Sequence, residues 1–148
     1  MPKTLFIDAD ACPVTRESIG CARRAGVAVV IAGNSTQNLE RHIRRDDRQR
    51  QMCIRDSDSA DFAIVERLRA GDVVVTQDIG LASMALGREA AAIGVRGRGY
   101  DKATIDMQLF IRHEEKKVRR AGGRTRGPAA FTSEDRARFK RNLTELLR

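Results

Sequence analysis

Residues 4–14, TLFIDADACPV, decide how this chain folds. Leu5, Phe6 and Ile7 form an unbroken apolar run that stops in Asp8 and, two positions on, Asp10. A strand with one wet face alternates apolar and polar residues; a strand covered on both faces reads as a continuous apolar run. The stretch is therefore predicted as an interior strand of a sheet with helices on both sides, and its ending in two carboxylates needs a separate explanation.

The same pattern recurs along the chain. VAVVIA (27–32) and DVVVT (72–76) are further apolar runs of strand length, and AAAIGV (90–95) is a weaker one. Between them lie helical stretches. One runs from about Val14 to Ala25, opened by Pro13 and stopped by Gly26. Another, SADFAIVERLRAG, places Ala60, Ile64 and Leu68 at i, i+4 and i+8 and ends at Gly71. IGLASMALG reads as a short helix, and residues 38–50 as a charged one. Strand–helix alternation with apolar strands predicts an α/β domain with a mostly parallel sheet of about four to five strands. Right-handed crossovers then bring the C-terminal end of every strand to one edge.

The rest is different in kind. Residues 100–120 read as a long helix with Ile105, Leu109 and Phe110 among its apolar positions. AGGRTRGP is a flexible basic linker, and FTSEDRARFKRNLTELL is a closing helix that Ser133 is placed to cap. The expected organisation is an α/β domain over 1–120, with the linker and C-terminal helix of 121–148 packing on that domain as a basic extension.

With 148 residues and 41% apolar content, one domain with a sizeable core is expected. No apolar run approaches the roughly 20 residues of a membrane span and no signal-peptide pattern is present, so the expected location is the cytoplasm, with no membrane contact. Cys12, Cys21 and Cys53 are odd in number and lack a CxxC spacing, which argues against a disulfide framework and a zinc site. The net charge of +8 is unevenly spread. Residues 56–111 carry six basic and nine acidic side chains, whereas residues 112–148 carry twelve basic and five acidic. A slightly acidic middle beside basic flanks suits a cation site within a surface that attracts a polyanion. One Tyr, five Phe and no Trp leave few platforms for base stacking, so nucleic-acid contact would fall on phosphates.

Asp8 and Asp10 end one strand, and Asp78 follows VVVTQ at the end of another. Ligands of open α/β sheets bind at that edge. Asp58 and Asp61 open the helix before VVVTQD, where negative charge is favoured. Four or five carboxylates in one cleft repel one another, and Mg²⁺ or Mn²⁺, which take oxygen ligands, would relieve the repulsion. Each residue also has a structural alternative: Asp8 can satisfy loop amides, and Asp58, Asp61 or Asp78 can cap a helix.

FIDADACPV, DSADFAIVERLRAGDVVVTQDIGLASMAL, RGRGY and GPAAFTSEDRARF closely resemble the YaiI/YqxD family of uncharacterised bacterial proteins, over nearly the whole chain. The resemblance implies a three-layer PIN-like fold, similar to the PIN and NYN metal-dependent ribonucleases. By motif position Asp8, Asp10, Asp61 and Asp78 match the acidic cluster of those nucleases, Thr76 matches their Ser/Thr before the second strand-end acid, and Asp58 is a weaker match. Val95 stands where the family tends to have Pro before Arg96 and Gly97.

One stretch departs further. QMCIRDS (51–57) follows RRDDRQR, has little to bury and makes a poor central strand, although the resemblance implies a short strand near it. It can be reverse-translated as CAG ATG TGT ATA AGA GAC AGY, which contains a transposase mosaic end used in sequencing adapters. Our hypothesis is that these residues are adapter sequence carried into an assembled read, leaving Cys53, Arg55 and Asp56 without functional meaning. Native genomic codons for the same seven residues would sink it.

Three functions are compatible. In a divalent-metal-dependent phosphodiesterase, a ribonuclease by resemblance, Asp8, Asp61 and Asp78 hold Mg²⁺ or Mn²⁺, with Asp10 and Asp58 as further ligands and Thr76 orienting a carboxylate or water. Arg96, Arg98, Lys116, Lys117, Arg119 and Arg120 would steer the phosphates of RNA or single-stranded nucleic acid; the structural alternative is a solvated helix face. A phosphohydrolase of the haloacid-dehalogenase type would use Asp8 as nucleophile and Asp10 as acid/base, but no Lys lies between Lys3 and Lys102 to stabilise a phosphoaspartate. A non-catalytic metal- or nucleic-acid-binding module is the third. His42 and His113 both sit in charged helical surroundings and are expected at the surface.

Overall fold

A computed structural model describes residues 2–9, 12–33, 51–55, 60–124 and 129–148, with the backbone alone at 51–55 and 60. In chain order the elements are β1 (Thr4–Asp8), α1 (Thr15–Ala25), β2 (Ala28–Gly33), β3 (Gln51–Arg55), α2 (Ala60–Arg67), β4 (Val73–Val75), α3 (Ile79–Gly87), β5 (Ala91–Ile93), α4 (Lys102–Arg120) and α5 (Ser133–Leu146). The five strands form one parallel sheet in the order β3-β2-β1-β4-β5. Helices cover both faces, so the domain is a three-layer α/β PIN-like fold.

The two-residue period of β1 sorts its side chains between the layers. Leu5 and Ile7 join Val29, Ile31, Val73, Val75 and Ile93 in a core closed by α1 and α5. Phe6 joins Val30, Val74 and Ala92 in a second core, closed by Ile64 of α2, Leu81 and Ala85 of α3, and Ile105 of α4. Both cores are built from buried apolar side chains, which explains why β1, β2 and β4 read as continuous apolar runs. By the same alternation Asp8 falls on the Phe6 side, the side of α2 and α3.

Some expectations change. QMCIR does form a strand, β3, but among the described residues it pairs only with β2 and lies at the sheet edge, where a polar strand is tolerated. The cap of α5 is Thr132, not Ser133: the Thr132 hydroxyl accepts from the Asp135 amide at 3.1 Å while the Asp135 carboxylate accepts from the Thr132 amide at 3.0 Å. Ser133 is instead the first helical residue. In α4 only Ile105 is buried; Leu109 is half-buried and Phe110 is 59% exposed. The charged helix expected at 38–50, and His42 with it, lies outside the described residues.

Gly97, in the loop after β5, has φ +89, and a Cβ there would lie 2.6 Å from the Phe139 amide nitrogen. The loop and α5 therefore meet backbone to backbone. Asn142 Nδ2 donates to the Gly97 carbonyl at 2.6 Å, and Arg138 donates to the Arg96 carbonyl at 3.3 Å. Among the described residues no helix is long and apolar enough to cross a membrane.

Candidate functional site

Strand order fixes where a site can form. β1 leads through α1 to β2 on one side, whereas β4 lies on its other side. The crevice beyond the C-terminal ends of β1 and β4 is thus the topological switch point. Because Ile7 pairs with Val75, the next residues, Asp8 and Thr76, emerge side by side from the sheet. The Thr76 hydroxyl donates to Asp8 Oδ2 at 2.9 Å and accepts from the Asp78 amide at 2.9 Å. Thr76 is 1% and Asp8 7% exposed, so this relay is shielded from water.

Asp78 caps α3, with Oδ1 accepting from the amides of Gly80 at 2.8 Å and Leu81 at 3.4 Å. Its carboxyl is also hydrogen-bonded to Asp61, which sits in the first turn of α2. Partial burial pushes the Asp78 carboxyl up, but the Asp61 hydrogen bond, the two amides and the Arg112 charge outweigh burial and hold it below the usual carboxylate range. Two carboxyl groups in such proximity repel when both are ionised, and a divalent cation can relieve that repulsion. Mg²⁺ commonly keeps several waters and needs only one or two protein carboxylates, so the Asp61–Asp78 pair suits it in kind. Among the described residues no three His, Cys, Asp or Glu side chains are gathered closely enough to hold a metal by themselves. Asp10 and Asp58 lie outside the described residues.

An acid at the opposite edge behaves differently. Asp72 opens β4 and is 5% exposed, with its two oxygens accepting from the Thr4 amide at 3.0 Å and the Arg69 amide at 2.9 Å. It is a purely structural carboxylate that joins strand ends.

The predicted basic residues divide. Arg96 is committed to the protein: it pairs with Asp135 at 2.9 Å, donates to the Ala129 and Ala130 carbonyls, and lies over the Phe131 ring. Lys116, Lys117, Arg119 and Arg120 are exposed on the last turns of α4, Lys117 pairing with Glu114 at 3.4 Å. Arg98 is exposed beside a cleft of about 300 Å³ lined also by Gln77, Tyr100, Gln108 and Arg112. The cleft adjoins Asp78, which lies between its lining residues Gln77 and Ile79. Tyr100 donates to the Thr76 carbonyl at 3.1 Å, and burial pushes its phenol up, keeping it a donor. Sequence reasoning missed Arg112, Gln108 and Tyr100. Gln108 and Arg112 are one helical turn apart, and that i, i+4 pairing of polar residues within an apolar-patterned helix was the available signal.

The family model described as "Uncharacterized BCR, YaiI/YqxD family" matches residues 6–148. The UPF0178 protein of Bacillus velezensis is 42% identical over 145 residues, spanning 98% of this chain and 85% of its own. The UPF0178 protein of Exiguobacterium sibiricum is 38% identical over 97% of this chain and 95% of its own, and that of Rhodospirillum rubrum 37% identical over 97% and 94%. No solved structure gives a significant match. On a match that runs from β1 to the last residue, the chain belongs to the YaiI/YqxD family.

Proposed function

We propose that the protein is a divalent-metal-dependent phosphodiesterase that cleaves RNA at the β1–β4 edge of the sheet. The observation that carries this reading is the Asp61–Asp78 carboxyl pair beside the Thr76–Asp8 relay, all at the topological switch point. Asp61 and Asp78 would hold Mg²⁺ or Mn²⁺, with water, Asp10 and Asp58 as further ligands, and Asp8 standing behind them on Thr76. Such an ion, when bound, supplies Lewis acidity and an activated water. Thr76 fixes the orientation of Asp8, and the α3 amides fix that of Asp78, so both carboxylates are preorganised. Resemblance to PIN-like nucleases and the basic flanks favour RNA as the substrate.

The test is cleavage of a fluorescent single-stranded RNA with Mn²⁺, with and without chelator, by the natural chain and by Asp78→Asn. Chelator-sensitive cleavage, lost in the variant while the fold is kept, is the expected result. Cleavage that persists in Asp78→Asn would place the activity in a contaminant. A second reading, a non-catalytic metal- or nucleic-acid-binding module, is favoured by the structural duties that Asp8 and Asp78 already perform. Binding of RNA without turnover would decide for it. Asp8 as a haloacid-dehalogenase-type nucleophile fits poorly, because its carboxylate is buried and engaged by Thr76.

A further inference from the structure

We propose that the cleft between the Gly94–Tyr100 loop and α4 is a phosphate subsite for a single-stranded nucleic acid, with Arg98 and Arg112 as its two anion-binding groups. The inference rests on the phosphodiesterase reading only for choosing a nucleic-acid phosphate over other anions. Its own foundation is the lining. Gln77, Arg98, Tyr100, Gln108 and Arg112 present guanidinium, amide and phenol groups, and no Asp or Glu lines the cleft. A volume of about 300 Å³ is at the small end of ligand pockets, the scale of one nucleotide rather than a duplex.

What sets these two cations apart is that, among the described residues, they line the cleft without a salt bridge. Lys102, Lys117, Arg136, Arg138 and Arg148 are ion-paired with carboxylates, and Arg96 is tied to Asp135. Among the described residues no salt bridge engages Arg98 or Arg112; the same holds for Lys116, Arg119 and Arg120, but of these only Arg98 and Arg112 border the cleft, where the Arg112 charge also acts on Asp78. Their donors come from different elements, a loop and a helix, so they can grip one phosphate from two sides with planar, multidentate geometry. Gln108, a turn before Arg112, adds a neutral donor. The walls are set by structure already described: the Tyr100 ring is pinned through Thr76, and the loop is held on α5 through Gly97. A phosphate held here lies beside the Asp61–Asp78 pair, as the phosphate next to a scissile bond would.

The test is fluorescence anisotropy of a short fluorescein-labelled oligouridylate with the full chain in chelator, so that neither cleavage nor metal enters. Arg98→Gln and Arg112→Gln should each weaken binding about tenfold, and each should lower the slope of log affinity against log salt by about 0.7. Arg112→Lys should lose part of the affinity, since it keeps the charge but not the fork. Arg88→Gln, at the opposite end of α3 from Asp78 and the cleft, should change little. Undiminished affinity in both glutamine variants, or no binding by the natural chain, overturns the proposal. So does displacement by 5′-AMP as effective as by unlabelled oligomer, which would assign the cleft to free nucleotides. If the arginine variants lose binding and the natural chain cleaves nothing with Mn²⁺, the subsite stands and the phosphodiesterase reading falls. Cleavage with a KM unaltered in both variants does the reverse, keeping the phosphodiesterase and removing the subsite.

Discussion

At the scale of residues, the site depends on one hydroxyl. Thr76 both donates to Asp8 and accepts from the Asp78 amide, with almost no access to water. Thr76→Val keeps the volume but leaves a shielded carboxylate oxygen and an amide without their partner, at a cost of about 2 kcal/mol. Chemical denaturation should show that loss, and Thr76→Ser should recover most of it; equal stability of the Val variant would mean that the relay contributes nothing. Asp78 adds a pH dependence. Its carboxyl titrates lower in the folded chain than its ordinary value of 3.8, so the folded state binds fewer protons there than the unfolded state. The stabilisation is present above that ordinary value and disappears as pH falls through the lowered one. The natural chain should lose stability on acidification below about pH 4 more steeply than Asp78→Asn, in which asparagine keeps the helix cap but cannot titrate. Parallel acid curves would remove Asp78 from the account. The places of Asp8, Asp61 and Asp78 in the fold were legible in the sequence because strand ends and helix starts are marked by local patterns. The meeting of Asp61 with Asp78 was not, since nothing local says that the first turn of α2 meets the cap of α3.

At the scale of elements, the joint between the β5 loop and α5 decides how well the cleft is shaped. Gly97 combines a positive φ with a backbone contact that leaves no room for a methyl group. Gly97→Ala meets both penalties and should cost about 3 kcal/mol, seen as a lower thermal midpoint; a neutral result would mean that α5 can move away freely. Thr132→Ala should cost about 1 kcal/mol through loss of the capping box, while Ser133→Ala, one residue on, should cost far less. That contrast separates the observed cap from the one expected. The cap was misplaced because Thr132 and Ser133 are both good caps, and only the reach of Asp135 back to the Thr132 amide selects between them. The strands were readable because two dry faces demand apolar runs. β3 was not, because an edge strand needs no such run. It is separated from β4 by β2 and β1, so the origin of residues 51–57 bears on the edge of the sheet and not on the Thr76–Asp8 relay.

At the scale of the whole molecule, the C-terminal extension packs into the core through α5. Phe139 and Leu143 are fully buried, and Leu147 nearly so, among side chains of β1, β2, β4 and α1. The chain ends are also joined: Lys3 Nζ donates to the carbonyls of Leu146 at 2.9 Å and Arg148 at 2.6 Å. Periodicity showed a helix here, expected to pack on the domain as a basic extension. Only the packing of its one apolar stripe on the Leu5–Ile7 face of the sheet shows its weight. Truncating a buried Phe or Leu to Ala commonly costs about 2–5 kcal/mol, and removing the helix loses three such residues together with its hold on the Arg96–Gly97 loop. That sum is comparable to the whole stability of a typical domain, about 5–15 kcal/mol. A chain ending at Gly123 should therefore be unfolded or a loose globule, with flattened near-ultraviolet circular dichroism and no cooperative thermal transition. Adding α5 as a separate peptide should restore the transition if burial is the cause. A truncated chain that melts cooperatively near the full-length midpoint would show that residues 2–123 fold alone, and that α5 serves the cleft rather than the core.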